Sequence, residues 1–260
     1  MAIDHVLKLY SKTIQSSFLH YGFWDDPNLV NLESMTLKEV KKAQTRYIEN
    51  LSSFIPEDVK SILDVGCGIG GNTEFLINTG YELEALSPDD FQKSVINEKF
   101  ASKVTFHHCK FEDFQADKKF DLILESESVC YINIKEGFSK ARDALRGGGY
   151  LLASDYFVHF RDNSRSPHLK SSHDLKKYLA SAEENGFELL KEYDQTENTM
   201  PTLDYGKYLI NRFVEPTIDY ISYSSKKSFP KMALVIGNFI RSKYDLKKNQ
   251  IDLLDSNLFR

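Results

Sequence analysis

The sequence predicts an α/β fold with a doubly wound, mostly parallel sheet, preceded by helices and followed by a helical segment. From residue 61 onward, short apolar runs alternate with stretches of helical periodicity, which is the pattern of βαβ units. A glycine-rich segment at residues 66–71 follows the first apolar run, as expected where a strand turns into a helix. The 260 residues, 41% of them hydrophobic, suffice for one large domain with a buried core.

Two helices are expected before the sheet. Apolar residues recur at helical spacing from Ile3 to Phe18, so a helix should open the chain. Residues 20–35 read as a loop, and a second helix should begin near Thr36. There Thr36 and Glu39 have the spacing of a capping box.

Six strands and four helices are expected from residue 61 to residue 193. The strands are predicted at 61–66, 81–86, 103–108, 120–125, 149–155 and 187–193, and the helices near 71–79, 88–99, 135–146 and 171–184. Gly80 and Gly186 stand where two of these helices should end. The run Ser87-Pro88-Asp89-Asp90 predicts a helix start with Ser87 as the N-cap and Pro88 at the first helical position.

The chain is expected to be helical again after residue 195. Tyr205, Tyr208 and Phe213 share a helix face, and Pro216 should bend or break that helix. Residues 246–260 have little strand character.

Composition argues against several classes of protein. The net charge is −5 and no basic stripe is present, which disfavours a nucleic-acid partner. No apolar run reaches the roughly 20 residues of a membrane span, and the N-terminus lacks a signal-peptide pattern. Cys67, Cys109 and Cys130 lie far apart without CxxC spacing, which disfavours a zinc site or a disulfide framework. We therefore expect a cytoplasmic protein with a small-molecule partner and no metal.

The glycine-rich segment carries the strongest chemical signal. Asp64 and Val65 end a buried strand, Gly66, Gly68 and Gly70 follow, and a helix begins whose N-terminal N–H groups can meet a ligand. Gly66-x-Gly68-x-x-Gly71 also satisfies the dinucleotide fingerprint, so the glycines alone leave the cofactor open. The second strand, however, ends in Leu86-Ser87, without the acid that holds the ribose in a typical NAD site.

Three segments in order resemble motifs of class I methyltransferases that depend on S-adenosylmethionine (SAM). Residues 63–71 resemble motif I, Phe120–Leu124 resembles the fourth strand, and Leu145–Leu152 resembles the turn into the fifth. His20-Tyr21-Gly22-Phe23-Trp24-Asp25 is similar to a segment of the small-molecule subgroup, which includes tocopherol, sugar and cyclopropane-synthase-like enzymes. The resemblance implies a Rossmann-like fold, SAM as the cofactor and a small-molecule methyl acceptor with an O, N, C or S nucleophile.

The resemblance also implies a set of cofactor-binding residues. Motif I would bind SAM through its loop, Asp64 would lie near the methionine amino group or the loop amides, and Tyr21 would fold over the cofactor. Ser87 and Gln92 match the Ser or Thr and the Gln that contact the ribose, although they are five residues apart instead of three. The whole expected set is Tyr21, Asp64, Gly66, Cys67, Gly68, Gly70, Ser87, Gln92, Phe111, Glu112 and Glu125.

The adenine would lie near Phe111 and Glu112 by the same resemblance. Lys110 stands where the family often has an acid. Phe111 can equally be read as a core residue.

An oxygen, nitrogen or carbon acceptor that loses a proton needs a general base, whereas a thiolate needs none. The candidates for this role are Glu127, at the end of the fourth strand, His20 in the segment before motif I, and His159 just past the fifth strand. Glu127 can also be read as a solvated turn residue and His159 as a surface residue. Tyr21, Tyr131 and Asp155 are further candidates.

The sequence therefore predicts one methyltransferase domain with three parts. They are an N-terminal helical cap at 1–58, a SAM-binding core at 59–195 and a helical substrate lid at 196–245. A non-catalytic subunit or sensor that binds SAM on the same fold is the main competing hypothesis. A reductase that uses NAD would need the ribose acid that is missing after the second strand, and an RNA methyltransferase would need a basic surface.

Overall fold

The computed structural model describes residues 11–158 and 173–228, together with Ser242 and Tyr244. The described residues divide into two compact units. The first contains the residues up to His20 and Gln44–Tyr193, and the second contains Tyr21–Ala43 and the residues from Asp194 onward. Helix α1 (Leu37–Ser52) contributes to both. The predicted division at residues 58, 195 and 245 stays a prediction.

The first unit is built on a parallel five-stranded sheet. Its strands lie in the order β3-β2-β1-β4-β5, with parallel pairing throughout. They are β1 (Ser61–Val65), β2 (Glu82–Leu86), β3 (Thr105–His107), β4 (Phe120–Ser126) and β5 (Leu145–Ser154). The strand order reverses between β1 and β4, and open sheets bind ligands beyond the carboxyl ends of the strands at such a point.

Helices follow the strands in the order expected of βαβ units. They are α2 (Gly71–Asn78), α3 (Asp90–Phe100), α4 (Ile134–Ala144) and α5 (Leu175–Glu184), and a short parallel pair is formed by β6 (Phe157–Val158) and β7 (His173–Asp174). Leu63 and Ile123 are buried in one cluster with Ala141 and Ala144 of α4. These side chains fix the central strands, and therefore the loops that leave their carboxyl ends.

The second unit is helical from Thr196 onward in its described part. Helix α6 (Thr196–Leu209) continues through a π-helical turn (Ile210–Val214) into α7 (Glu215–Ser228). Tyr205 is buried with Met35 and Val40, and its hydroxyl donates to the carbonyl of Met35 at 3.0 Å. The Trp24 backbone N–H donates to the Asn198 carbonyl at 2.9 Å, which joins the segment before α1 to α6.

Several local predictions are confirmed. Thr36 and Glu39 form the reciprocal capping box, with the Thr36 N–H 2.7 Å from Glu39 Oε2 and the Glu39 N–H 3.3 Å from Thr36 Oγ1. Gly80 and Gly186 follow α2 and α5 with φ of +103° and +84°. Such left-handed residues end helices, and glycine adopts them without a steric penalty.

The predicted N-cap Ser87 is wrong. Helix α3 begins at Asp90, and its N-cap is Asp89, whose carboxylate accepts the Gln92 N–H at 2.8 Å. Pro88 consequently precedes the helix. An aspartate and a serine are comparable N-caps, so the sequence offered two starts and the structure uses the later one.

The predicted strand at 187–193 does not form with any residue in the described part of the chain. Leu189 and Leu190 are 57% and 71% exposed, so the apolar run at this point does not enter the sheet core. Short apolar runs of this kind leave the assignment open when periodicity is the only signal.

Pro216 does not break its helix. It is the second residue of α7, directly after the π-helical turn, and the residues flanking that turn keep right-handed helical dihedrals. A π-helical turn is one way in which a helix accommodates an irregularity of this kind. Residues 11–14 are helical as expected, whereas the rest of the predicted first helix lies outside the described residues. No helix among the described residues is long and apolar enough to cross a membrane.

Candidate functional site

The loop between β1 and α2 forms the centre of the site. Gly66, Gly68 and Gly70 have φ of +73°, +57° and +78°. The N–H groups of Gly66 and Cys67 donate to the Leu86 carbonyl at 2.8 and 3.2 Å, which ties the loop to the end of β2. A Cβ at Gly66 would lie 2.4 Å from the Ser128 Cβ. The loop therefore needs glycine both for its dihedral angles and for its close approach to the chain after β4.

Asp64 connects the strand and the helix that flank this loop. Its side chain is buried and accepts a hydrogen bond from Thr73 Oγ1, in the first turn of α2, at 2.7 Å. Burial raises the pKa of Asp64 to about 6, and the Thr73 hydroxyl acts in the opposite direction. Asp64 thus joins β1 to α2 across the glycine loop.

Ser87 and Gln92 meet at the end of β2. The Ser87 hydroxyl donates to Gln92 Oε1 at 2.6 Å, and both residues are buried. Asp89, which caps α3, turns the chain back so that Gln92 faces Ser87. Ser87 and Gln92 are therefore in contact, although they are five residues apart instead of the three residues that are usual in the family.

The residues after β3 take structural positions. Phe111 is 2% exposed and lies in the core cluster that contains Leu63 and Val65. Glu112 Oε1 accepts the N–H of Asn133, the N-cap of α4, at 2.9 Å. Of the two readings of Phe111, the structure supports the core residue.

Carboxylates gather near the end of β4. Glu125 is 3% exposed and lies 3.4 Å from the Tyr178 hydroxyl. Burial raises its pKa to about 8, so Glu125 is protonated at neutral pH. Asp155, after β5, accepts hydrogen bonds from the N–H groups of Cys130 and Tyr156 at 3.0 and 2.7 Å. Burial also raises the pKa of Asp155.

Glu127 has a backbone conformation that is unusual for its residue type. Its φ is +53°, and its N–H donates to the Ser154 carbonyl at 2.7 Å. The neighbouring Ser128 hydroxyl donates to the Val65 carbonyl at 2.6 Å. The turn after β4 is therefore fixed to β5 on one side and to β1 on the other.

His20 is enclosed. It is 6% exposed, its Nε2 lies 2.9 Å from Asn72 Oδ1, and its ring stacks on that of Tyr47 with the centroids 4.4 Å apart. The Gln44 side-chain amide donates to the His20 carbonyl at 2.7 Å. These contacts suit a structural role for His20 better than a role in proton transfer.

The remaining candidates are placed as follows. Tyr21 is half-buried and belongs to the second unit. His159 lies outside the described residues. Cys67 is buried between the loop glycines, and its side chain belongs to a cluster with Ala85 and Ile96.

Sequence reasoning missed two residues near the strand ends, Tyr47 and His173. Tyr47 is fully buried, with its hydroxyl 2.6 Å from Ser154 Oγ. His173 Nε2 lies 2.9 and 3.0 Å from the carbonyls of Ile132 and Val129, and because both partners are acceptors this nitrogen must carry a hydrogen. The apolar periodicity of α1 includes Tyr47 and so predicts its burial, but it does not predict the hydrogen bond to Ser154.

A family model described as a methyltransferase domain matches residues 40–197, more than half of the chain. The chain belongs to this methyltransferase family. Among curated relatives, the chloroplastic tocopherol O-methyltransferase of Arabidopsis thaliana is 30% identical over 157 residues, covering 54% of this chain and 44% of the relative. The O-methyltransferase resE of Aspergillus sclerotiorum is 24% identical over 212 residues, covering 74% and 76%. The chain thus spans less than half of the Arabidopsis protein.

Solved structures share the fold of this chain. The [4+2]-cyclase SpnF aligns with a TM-score of 0.64 at 16% identity, covering 94% of this chain and 89% of that one. Geranyl diphosphate C-methyltransferase from Streptomyces coelicolor aligns with a TM-score of 0.61 at 19% identity, covering 73% and 80%. These similarities confirm the α/β fold class and do not by themselves assign a substrate.

In the described residues, the N–H groups of Gly66 and Cys67 and the hydroxyls of Ser87 and Ser128 all donate to other groups of the chain. Among the described residues, no group of three or more His, Cys, Asp or Glu side chains comes together as a metal site. The glycine loop, the Ser87–Gln92 pair and the turn after β4 all leave the carboxyl ends of neighbouring strands. An arrangement of this kind can bind a nucleoside-containing cofactor along the strand ends.

Proposed function

We propose that the protein transfers a methyl group from SAM to a small-molecule acceptor. The observation that carries this proposal is the glycine loop between β1 and α2, in a chain of the methyltransferase family. The names of the curated relatives support it, since they include tocopherol O-methyltransferases and other O-methyltransferases. SAM, when bound, would supply a methyl group activated by its sulfonium.

The residues of the first unit fit such a cofactor. Glycines at positions 66 and 68 let the backbone approach a ligand closely, and the N-terminal N–H groups of α2 suit a carboxylate. In our proposal the buried Ser87–Gln92 pair holds the ribose hydroxyls and Asp64 keeps the loop in place.

We propose Glu127 as the general base when the acceptor is an oxygen, nitrogen or carbon group that loses a proton. Glu125 is protonated at neutral pH and buried, and His20 is enclosed by Tyr47 and Asn72, so neither suits this role. Glu127 stands where β4 ends, and its backbone is fixed on the Ser154 carbonyl. A carboxylate at the strand ends, where doubly wound folds bind ligands, is the kind of group that general-base catalysis uses.

We propose further that residues 196–245 recognise the acceptor as a lid, and that the partner is a metabolite and not a nucleic acid. The tyrosines of α6 and α7 suit an acceptor with an apolar or aromatic body and one polar end. A cytoplasmic location, a reaction without a metal and the cofactor roles of Tyr21, Cys67, Gly70, Phe111, Glu112 and Glu125 also remain proposals. A catalytic role for His159 is a proposal of the same kind.

The proposal is tested by titrating SAM into the purified protein in a calorimeter. Gly68→Ala should weaken SAM binding by about tenfold or more, because it adds a side-chain Cβ to the loop whose backbone would approach the cofactor in our proposal. That Cβ would stand 3.2 Å from the Leu19 Cδ1, the flexible end of a side chain, so the variant should fold. Gly186→Ala is the matched control, with a similar strain at φ of +84° and nothing within 4 Å of its Cβ.

Two results would contradict the proposal. One is a wild-type protein that does not bind SAM. The other is equal SAM affinity in Gly68→Ala and Gly186→Ala. Turnover of labelled SAM against a metabolite extract then separates an enzyme from a non-catalytic SAM-binding subunit, which would bind SAM and label nothing.

A further inference from the structure

A continuous line of contacts crosses the first unit from α2 to the end of β4. Asn72 Oδ1, in the first turn of α2, lies 2.9 Å from His20 Nε2. The His20 ring stacks on Tyr47, and the Tyr47 hydroxyl lies 2.6 Å from Ser154 Oγ. The Ser154 carbonyl accepts the Glu127 N–H at 2.7 Å. The line therefore joins the glycine-loop helix to the candidate base.

We infer that Tyr47 is a positioning residue that acts on Glu127 through Ser154. This inference rests on the proposed function, because it concerns the base of that reaction. The Tyr47 hydroxyl fixes the Ser154 side chain at the end of β5. The same serine's carbonyl then fixes the Glu127 N–H, and with it the direction in which the Glu127 side chain leaves the backbone.

The burial of Tyr47 and Ser154 makes their contact hard to replace. Tyr47 is 1% exposed and Ser154 is 9% exposed, so water competes little for the hydrogen bond between them. A buried hydroxyl that loses its partner is costly because solvent cannot compensate for the missing bond. Loss of the Tyr47 hydroxyl would therefore allow the end of β5 to shift relative to β4.

The backbone of Glu127 shows that this turn must be held. A non-glycine residue at φ of +53° persists only where its surroundings determine the conformation. The hydrogen bond to Ser154 is one of the contacts that do so. A small movement of Ser154 would therefore change the aim of the Glu127 carboxylate, and misplacing a catalytic group by about 1 Å can cost a hundredfold in rate.

Tyr47 does not itself suit the role of the base. Burial raises the pKa of its hydroxyl well above the usual value of 10, and the charges of Glu127 and Asp155 raise it further. The hydroxyl remains protonated at neutral pH, so it acts as a hydrogen-bonding group.

The test begins with Tyr47→Phe, which keeps the ring and its stacking on His20 and removes only the hydroxyl. The expected result is a fall in kcat of about tenfold or more. The SAM affinity measured by calorimetry should stay within about twofold, because Asn72, His20 and the glycine loop are untouched. Ser154→Ala, which removes the other hydroxyl, should give the same pattern. A kcat for both variants within twofold of wild type would overturn the inference.

Coupling to Glu127 is tested by a double-mutant cycle. Glu127→Gln alone should lower kcat, and adding Tyr47→Phe should lower it little further, because Tyr47 acts through a carboxylate that is already gone. Losses that multiply in the double variant would show that Tyr47 acts elsewhere. Wild-type activity in Glu127→Gln would overturn both the inference and the proposed base.

Phe120→Leu is the stability control. Phe120 is buried at the start of β4, at the opposite end of the same strand, so its truncation loosens the sheet without touching the line of contacts. Its kcat should stay near wild type even where its melting temperature falls as far as that of Tyr47→Phe. An equal fall in kcat would show that general loosening explains the effect. If the wild type transfers no methyl group from SAM, the proposed function fails and the inference with it.

Discussion

Glu127 occupies a backbone region that a glycine would occupy at lower energy. Left-handed dihedrals cost a non-glycine residue roughly 1 kcal/mol. Gln15 and Ala101 share this feature among the described residues, with φ of +52° and +47°. Ala101 follows α3 with ψ of −119°, outside the left-handed helical region, whereas Glu127 follows β4, at the strand ends where doubly wound folds bind ligands.

Glu127→Gly should therefore raise stability and lower activity in one variant. Glycine relieves the strain, so the free energy of unfolding should rise by up to about 1 kcal/mol in urea denaturation. Methyl transfer should fall by about tenfold or more, because the proposed base is removed.

Ala101→Gly is the matched control for this variant. It also relieves strain at a positive φ, at an exposed position after α3, so it should stabilise the protein and leave methyl transfer unchanged. A Glu127→Gly protein with wild-type turnover would show that Glu127 is not the general base.

Individual site residues were predictable where a local pattern marks them. The glycines of the loop follow from strand–turn–helix spacing, and the capping box of Thr36 and Glu39 follows from two residue types at a fixed offset. Tyr47 was not predictable as more than a buried ring. Its stacking on His20 and its hydrogen bond to Ser154 join positions 27 and 107 residues away, and no periodicity encodes such contacts.

At the scale of elements, Asp121 joins the starts of three strands. Its Oδ2 accepts the N–H groups of Lys60 and Ser61, both at 2.9 Å, at the start of β1. Its Oδ1 accepts Arg146 Nε, near the start of β5, at 2.6 Å. The Ser61 N–H foremost, together with Lys60 and Arg146, lowers the pKa of Asp121 to about 2.

This pKa predicts a pH dependence of stability. The folded-state pKa lies below the ordinary value of 3.8, so the ionised Asp121 stabilises the fold above that value. The contribution is lost as the pH falls from 3.8 through about 2. Asp121→Asn should lower the free energy of unfolding at pH 7 and weaken its dependence on pH below 4, as measured by urea denaturation across pH.

Asp143→Asn is the control for this prediction. Its side chain is 63% exposed, and its carboxylate pairs with Arg142 at 3.8 Å. Exposed pairs of this kind contribute little, so the variant should unfold like the wild type at each pH. If the free energy of unfolding depended on pH below 4 in the same way in Asp121→Asn and the wild type, Asp121 would not anchor the strands.

The five sheet strands and the helices that follow β1, β2, β4 and β7 were predictable because short apolar runs and helical patterns alternate clearly between residues 61 and 184. What the sequence could not supply was the choice between equivalent local solutions. Asp89 and Ser87 are both good N-caps. The structure uses Asp89, whose carboxylate accepts the Gln92 N–H, while the Ser87 hydroxyl donates to the Gln92 side chain. The apolar run at 187–193 resembles a strand locally, but a strand forms only where a neighbour offers free hydrogen-bonding groups.

At the scale of the molecule, the two units carry different kinds of information. The family match ends at residue 197, so it covers most of the first unit and only the first residues of α6. The first unit holds the glycine loop and the turn after β4. The second unit presents large exposed side chains, among them Phe213, Tyr220 and Tyr223. Exposed aromatic groups of this kind often mark a binding surface.

The proposed role of residues 196–245 in acceptor recognition can be tested on these side chains. Phe213 is a better probe than Tyr208, because Phe213 is 58% exposed whereas Tyr208 stacks near the buried Tyr205 with the ring centroids 6.2 Å apart. Phe213→Ala should raise the KM for the acceptor several-fold and leave the SAM affinity and the melting temperature near wild type. Tyr208→Ala should also raise that KM, but with a loss of stability.

Leu29→Ala supplies the matched control for Phe213→Ala. Leu29 is an exposed apolar residue of the same unit, 80% exposed, in a short helical turn outside residues 196–245. If exposed apolar side chains of the second unit merely affect solubility, both variants should behave alike. If α6 and α7 recognise the acceptor, only Phe213→Ala should change the acceptor KM, while calorimetry with SAM gives the wild-type affinity for both. An unchanged acceptor KM in both Phe213→Ala and Tyr208→Ala would contradict the proposed role of residues 196–245 in acceptor recognition.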